Sequence, residues 1–311
     1  MSAITTQALT YRYGRTVALE ALDLDVPEGV VYALLGPNGS GKTTLLQILT
    51  GLRRAKQGHA TVLGTDVRHL TVQDRAVLGY VAEGQQLPGW MRLAQLEAFL
   101  APLYPTWDRA LASSLRERFG LDPSKKISAL SRGQRMKAAL LCALAPRPKV
   151  LFMDEPFTGM DVVVKDELVR GLLDTSGSEG WTVLLCSHDI AEVEPLAEWV
   201  GYLREGRLAM SEPIDTMRDR FRRVEIVSAN LPDSAIPSGA LRVERAGARV
   251  EFYVATRDEA LQVEALRRAL PAEARVELHE VSLREVFLAL SYAQSAAVPS
   301  RVRRPDPLEV Q

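Results

Sequence analysis

Apolar positions along this chain follow two rhythms, and the changes between them mark its parts. Leu22, Leu24 and Val26 alternate with polar residues and stop at Pro27-Glu28-Gly29, the pattern of a half-buried strand ending in a turn. Val30–Leu35 is then continuously apolar, as a strand buried on both faces must be. Past a glycine-rich stretch, Leu45, Leu46, Ile48, Leu49 and Leu52 recur at helical spacing. Val150–Met153 and Thr182–Cys186 repeat the buried-strand pattern and run straight into Asp154-Glu155-Pro156 and Ser187-His188-Asp189. Strands that deliver polar residues at their C-terminal ends predict an open α/β sheet whose ligands bind at that edge.

From about Leu93 to Ala145 the spacing is helical (Leu93, Leu96, Phe99, Leu100, then Leu111, Leu115, Phe119), which predicts a helical insertion over about 85–145. The pattern changes again after Arg218. Val224–Val227, Ala240–Val243 and Val250–Val254 read as strands, Glu259–Leu270 as a helix, Ala274–Leu278 as a strand and Ser282–Tyr292 as a closing helix. That succession predicts a small α+β domain over 219–294 behind a main domain over 1–218. The remainder, 295–311, is rich in Pro and Arg with little to bury and is expected to be disordered. The Arg-rich segment Arg218–Arg223 reads as a solvated face or linker.

Composition narrows the function. With 38 Lys+Arg against 39 Asp+Glu, the net charge of -1 argues against a general nucleic-acid binder. The 2 cysteines, Cys142 and Cys186, sit in apolar runs without a CxxC partner, so they read as core residues of a reduced protein. No run approaches the roughly 18 apolar residues of a membrane helix, and no secretory signal is expected at the N-terminus.

The chemistry concentrates in three places. Gly36-Pro37-Asn38-Gly39-Ser40-Gly41-Lys42-Thr43-Thr44 fits the Walker A pattern between a predicted strand and a predicted helix. Its glycines let backbone N–H groups wrap phosphate oxygens, and a helix N-terminus adds a positive dipole end. Lys42 can reach the outer phosphates, and Thr43 carries a hydroxyl suited to Mg²⁺. Asp154 and Glu155 form an acidic pair at a buried strand end, costly unless a metal ion or reacting water pairs with it. Asp154 suits the metal shell and Glu155 the water. Leu130-Ser131-Arg132-Gly133-Gln134 opens a helical stretch, where Ser131 can be an ordinary N-cap or a second phosphate contact.

Together these motifs resemble the ATP-binding cassette (ABC) ATPases. LSRGQ is similar to their LSGGQ signature, with Arg132 in place of the first of the two glycines. LFMDEP resembles the Walker B motif, TGMD ending at Asp161 the D-loop, Ser187-His188-Asp189 the H-loop, and Tyr13 in YRYG the aromatic that stacks on adenine. Tyr11, two residues earlier, is a rival. The likeness runs over about residues 3–218. It implies a P-loop, RecA-like α/β core with an antiparallel β subdomain and a helical insertion, using ATP and Mg²⁺. It further implies that Ser131, Gly133, Gln134 and Asp161 act at the nucleotide, and that His188 contacts the γ-phosphate and Glu155. The family usually has Gln at the end of a strand like Leu78–Ala82, where this chain has Glu83. A carboxylate there either ligates the metal more strongly, beside Thr43 and Asp154, or slows engagement of the γ-phosphate. Gln85 and Gln86 are displaced candidates for the same role.

The resemblance also implies partners: a second ATPase subunit, here expected to be an identical copy whose Ser131 and Gly133 cap the bound ATP, and a separate integral membrane subunit at the cytoplasmic face. Leu87, Trp90, Met91 and Leu93 within Gln85–Leu103 are expected to dock that subunit. The closing VSLREVFLALS resembles exporter-type cassettes. The alternatives are a soluble ABC ATPase working on nucleic acid or translation, against which one Walker A motif and balanced charge speak, and a small-molecule P-loop kinase, which leaves LSRGQ unexplained. No direct contact with nucleic acid is expected.

Overall fold

The computed structural model describes residues 1–160, 164–171, 180–228, 231–232, 235–255, 264, 266–267, 270 and 273–292. The chain forms two compact units, Met1–Ser211 and Glu212–Gln311, dividing somewhat ahead of residue 218. The first unit opens with β1 (Ser2–Tyr13), β2 (Thr16–Pro27) and β3 (Val31–Leu35), then α1 (Lys42–Leu49), β4 (Gln57–Val62) and β5 (Thr65–Asp66). Next come α2 (Val72–Ala76), β6 (Leu78–Val81), α3 (Leu93–Leu100), α4 (Arg109–Arg118), α5 (Arg132–Leu144), β7 (Val150–Asp154), β8 (Thr182–Ser187), β9 (Trp199–Arg204) and β10 (Arg207–Pro213). These strands make a four-stranded sheet ordered β2-β1-β4-β5 and a six-stranded sheet ordered β10-β9-β3-β8-β7-β6.

Every strand pair from β9 through β3, β8 and β7 to β6 is parallel, and its register builds the functional edge. Leu35 lies level with Ser187, and Asp154 level with Cys186. The residues that follow β3, β7 and β8 therefore emerge side by side. The central strands are buried on both faces, which is why they read as unbroken apolar runs. α1 joins the two sheets: Leu45, Leu46, Ile48 and Leu49 share one core with Ile4, Leu9 and Leu22 and with Leu34, Phe152 and Leu184. The helical signal overran at Leu52. Gly51 takes φ 72° just past the Thr50 cap, ends the helix, and leaves Leu52 67% exposed.

The second unit carries β11 (Phe221–Val227), β12 (Leu241–Ala246), β13 (Arg249–Ala255) and β14 (Arg275–Glu280) in the order β12-β13-β11-β14, all paired antiparallel, followed by the helix Leu283–Tyr292. Its own core includes Val224, Ile226, Val250, Phe252 and Leu266. The helix expected over Glu259–Leu270 lies mostly outside the described residues, and the tail 295–311 lies wholly outside them. Arg218–Arg223 corrects the linker reading. It closes the helix Ile214–Arg220 and opens β11, with Met217 and Phe221 buried and Arg220 paired to Glu212 at 2.7 Å. Charge density suggested solvent, and Arg218 and Asp219 are indeed exposed, but Phe221 is buried and opens the strand. Among the described residues no helix is long and apolar enough to cross a membrane.

Candidate functional site

The loop between β3 and α1 takes its shape from glycine. Gly41, the N-cap of α1, sits at φ 112°, and a Cβ there would run into the Ala18 carbonyl. Asn38 and Gly39 stand exposed at the loop tip, whereas Ser40 is buried with an unpartnered hydroxyl. Lys42 is only 5% exposed. Its ammonium donates to the carbonyls of Gly36 at 2.7 Å and Pro37 at 3.2 Å, and stands 3.3 Å from Glu155 Oε1. The loop thus holds a buried cation among weak neutral acceptors, with one carboxylate as its charged partner.

Glu155 is the pivot. Its backbone sits at φ 48°, a region that costs a non-glycine residue about 1–3 kcal/mol, and its N–H donates to the Cys186 carbonyl at 2.9 Å. That turn aims the carboxylate, 8% exposed, between two elements. Oε1 faces Lys42, while Oε2 meets His188 Nδ1 at 2.8 Å and accepts from Thr158 Oγ1 at 3.4 Å. His188 is itself half-exposed at the end of β8. Ser187 beneath it caps the following turn by accepting from the Asp189 N–H at 3.0 Å.

Asp154 is 1% exposed, and its Oδ1 has no partner. Burial raises its pKa above the ordinary carboxylate range; a hydrogen bond from Thr43 and the Lys42 charge oppose that, while the Glu155 and Glu83 charges add to it. Glu83 lies exposed in the turn after β6. The Thr43 hydroxyl thus bonds Asp154, and Glu83 acts on it through charge, beside an oxygen that has no partner. One hydroxyl and two carboxylates form a hard-oxygen set that fits Mg²⁺ shared with a triphosphate, although among the described residues no group of three or more His, Cys, Asp or Glu stands in metal-holding geometry. Gln85 and Gln86 turn elsewhere: Gln85 Oε1 accepts from the Ala82 N–H, and Gln86 Nε2 donates to the Gly84 carbonyl.

Ser131 and Gln134 form a reciprocal capping box at the start of α5, with Ser131 Oγ accepting from the Gln134 N–H at 3.2 Å and Gln134 Oε1 from the Ser131 N–H at 3.1 Å. Their side-chain partners thus lie inside the cap rather than at the phosphate loop of their own chain. Gly133 packs against Val164, and the Arg132 guanidinium lies over Gly159. A cavity of about 560 Å³ separates the Glu83 turn, the start of α5 and Glu155. Asp161 falls outside the described residues.

Of the two candidate tyrosines, Tyr11 is 9% exposed and Tyr13 44%, and Tyr13 Oη lies 3.3 Å from Thr44 Oγ1 on α1. Sequence reading missed Arg53, which bonds to Tyr11 and lies against both rings; no motif marks it. The docking segment also needs correction. Leu93, the first residue of α3, is buried and Leu87 and Met91 are half-buried, whereas Trp90, Phe99 and Leu103 are 73%, 56% and 58% exposed. Leu93 is therefore spent on packing and is not available for docking.

Residues 19–158 match the family model described as ABC transporter. The chain is 33% identical over 311 residues to the daunorubicin resistance ATP-binding protein DrrA2 of Streptomyces coeruleorubidus, covering 93% of this chain and 95% of that one. It is 34% identical over 226 residues to the sulfate/thiosulfate import ATP-binding protein CysA 1 of Agrobacterium fabrum, covering 70% of this chain but only 65% of that protein's length. Its fold is similar to the dimeric cassette MJ0796 solved in a post-hydrolysis state with ADP and Pi, at TM-score 0.61 and 24% identity over 68% of this chain and 98% of that one. The chain belongs to the ABC transporter family of ATP-binding proteins.

Proposed function

We propose that this chain hydrolyses ATP as one half of a homodimer and drives a separate membrane-spanning subunit, with transport directed outward. The observation that carries the reading is Glu155, buried at the sheet edge between Lys42 and His188. A carboxylate fixed there can take the proton of a water attacking the γ-phosphate, and His188 Nδ1 holds it in place from the side opposite Lys42. Lys42 exchanges its carbonyl partners for phosphate oxygens, which are stronger charged acceptors. Mg²⁺, held by Thr43 and Asp154 with Glu83 beside them, would supply charge neutralisation on the transferred phosphoryl group. Tyr13, the more exposed ring, stacks on the base.

Ser131 and Gln134 bond each other rather than the phosphate loop of their own chain, which supports the use of Ser131, Gly133 and Gln134 against ATP on a second copy together with Asp161. ATP would then favour the closed pair and hydrolysis release it. Trp90, Phe99 and Leu103 supply exposed apolar surface on the insertion for a membrane subunit at the cytoplasmic face. Outward transport is supported by likeness along 95% of DrrA2, a protein named for drug resistance, including its C-terminal part.

The test is the ATPase rate of the purified chain and of Glu155→Gln. The variant should keep ATP affinity, lose about 10²–10⁴ in rate, and remain dimeric in ATP. Hydrolysis at the parent rate would remove Glu155 from the mechanism. Fractionation of the native cells should recover the chain with membranes and release it in alkaline carbonate; recovery in the soluble fraction alone would count against a membrane partner.

A further inference from the structure

The ring of Tyr13 is held on three sides, and two of the holds come from α1 or the residues just beyond it. Its hydroxyl lies 3.3 Å from Thr44 Oγ1. Its edge meets Tyr11 in a T-shaped contact with centroids 5.0 Å apart and planes at 71°. Its face carries the guanidinium of Arg53, whose Cζ lies 4.8 Å from the Tyr13 centroid and 5.3 Å from that of Tyr11. Both separations fall inside the roughly 6 Å range of a cation–π contact.

Arg53 does not drift over this surface. Nη1 donates to Tyr11 Oη at 2.9 Å and Nε donates to Gln47 Oε1 at 2.9 Å. Gln47 belongs to α1, the helix that begins at Lys42, and Tyr11 is buried in the core beneath. One planar fork therefore ties the buried ring, the phosphate-loop helix and the exposed ring together. An exposed tyrosine next to the turn at Gly14 would otherwise sample several χ1 rotamers and have to be ordered by the ligand.

We propose that Arg53 is a positioning residue for the nucleotide base: it fixes the plane of Tyr13 relative to the phosphate loop and occupies one ring face, leaving the other for a purine. This rests on the reading of Tyr13 as the base-stacking residue. A cation on one face draws π density from the ring, and an electron-poor ring stacks best on an electron-rich base. The same contact therefore favours purine over pyrimidine triphosphates. Lysine cannot replace it, because an ammonium has no fork to reach Tyr11 and Gln47 at once.

Calorimetric titration of the full chain with ATP and with inorganic triphosphate, both with Mg²⁺, separates base from phosphate. Arg53→Ala should weaken ATP about fivefold to tenfold, the lower end of one base–aromatic stack, and leave triphosphate affinity unchanged. Arg53→Lys should recover only part of the loss, and the preference for ATP over CTP should shrink in both variants. An equal loss for ATP and triphosphate would overturn the proposal, since it would mean general damage to the loop. Loss of base-dependent affinity in Tyr13→Ala but not in Arg53→Ala would overturn the role of Arg53 and leave that of Tyr13 standing. Unchanged ATP affinity in Tyr13→Ala would remove the stacking role itself, and the proposal with it.

Discussion

Glu155 and Glu83 carry the same charge at one edge, yet their surroundings give them different work. Glu155 is buried, strained at φ 48°, and bound on both oxygens to cationic or polar neighbours. Glu83 is exposed in a turn, and its charge adds to the burial that raises the pKa of Asp154. Replacing that carboxylate by an amide removes the charge and keeps a carbonyl oxygen that can still reach a metal. Glu83→Gln should therefore keep or raise the ATPase rate, whereas Glu83→Ala should lower it. Two carboxylates around one ion should also make the parent more sensitive to Mg²⁺ concentration than Glu83→Gln. Rates measured against Mg²⁺ for the three proteins decide this, and superimposable curves would make Glu83 a bystander.

At the scale of elements, α5 has a start that serves two purposes. Ser131 caps the helix by binding the Gln134 N–H, so Ser131→Ala should cost about 1 kcal/mol in urea unfolding. The proposed contact with ATP on a second copy is separable, because Asp caps a helix as well as Ser does but brings a negative charge to a phosphate. Ser131→Asp should thus unfold like the parent while failing to dimerise on ATP in the Glu155→Gln background. Dimerisation at the parent ATP concentration would leave the capping role as the whole function of Ser131. The neighbouring Arg132, packed on Gly159, couples the same helix start to the segment after Glu155 within one chain.

For the whole molecule, the two units keep separate cores: Leu34, Leu45, Phe152 and Leu184 in one, Val224, Val250 and Phe252 in the other. Each buries its own apolar surface, which is the condition for independent stability. A chain ending near residue 218 should therefore unfold cooperatively and bind ATP with parent affinity. Calorimetric unfolding with and without ATP checks this, and a broad, ATP-insensitive transition would show that the second unit completes the ATPase fold.

Local pattern was enough to determine much of this protein. The apolar runs before Gly36, Asp154 and Ser187, the glycine spacing around Lys42, and the switch to helical spacing after Leu93 each reside within a few consecutive residues, where strand and helix geometry act directly on sequence. The alternation of Leu22, Leu24 and Val26 was legible for the same reason. Packing decided the rest. Tyr11 and Tyr13 are indistinguishable as residue types, and only the core beneath β1 buries one and exposes the other. Leu93 and Trp90 read alike as docking residues, yet the fold buries one and exposes the other, and Arg218–Arg223 read as a solvated linker, yet it joins a helix to a strand and buries Phe221. Lys42, Glu155 and His188 meet because β3, β7 and β8 run parallel in one register. Arg53 reaches two tyrosines more than 35 residues earlier in the chain through a fold that brings α1 against β1. Such contacts depend on which surfaces pack together, and that is a property of the whole chain that no short stretch of sequence contains.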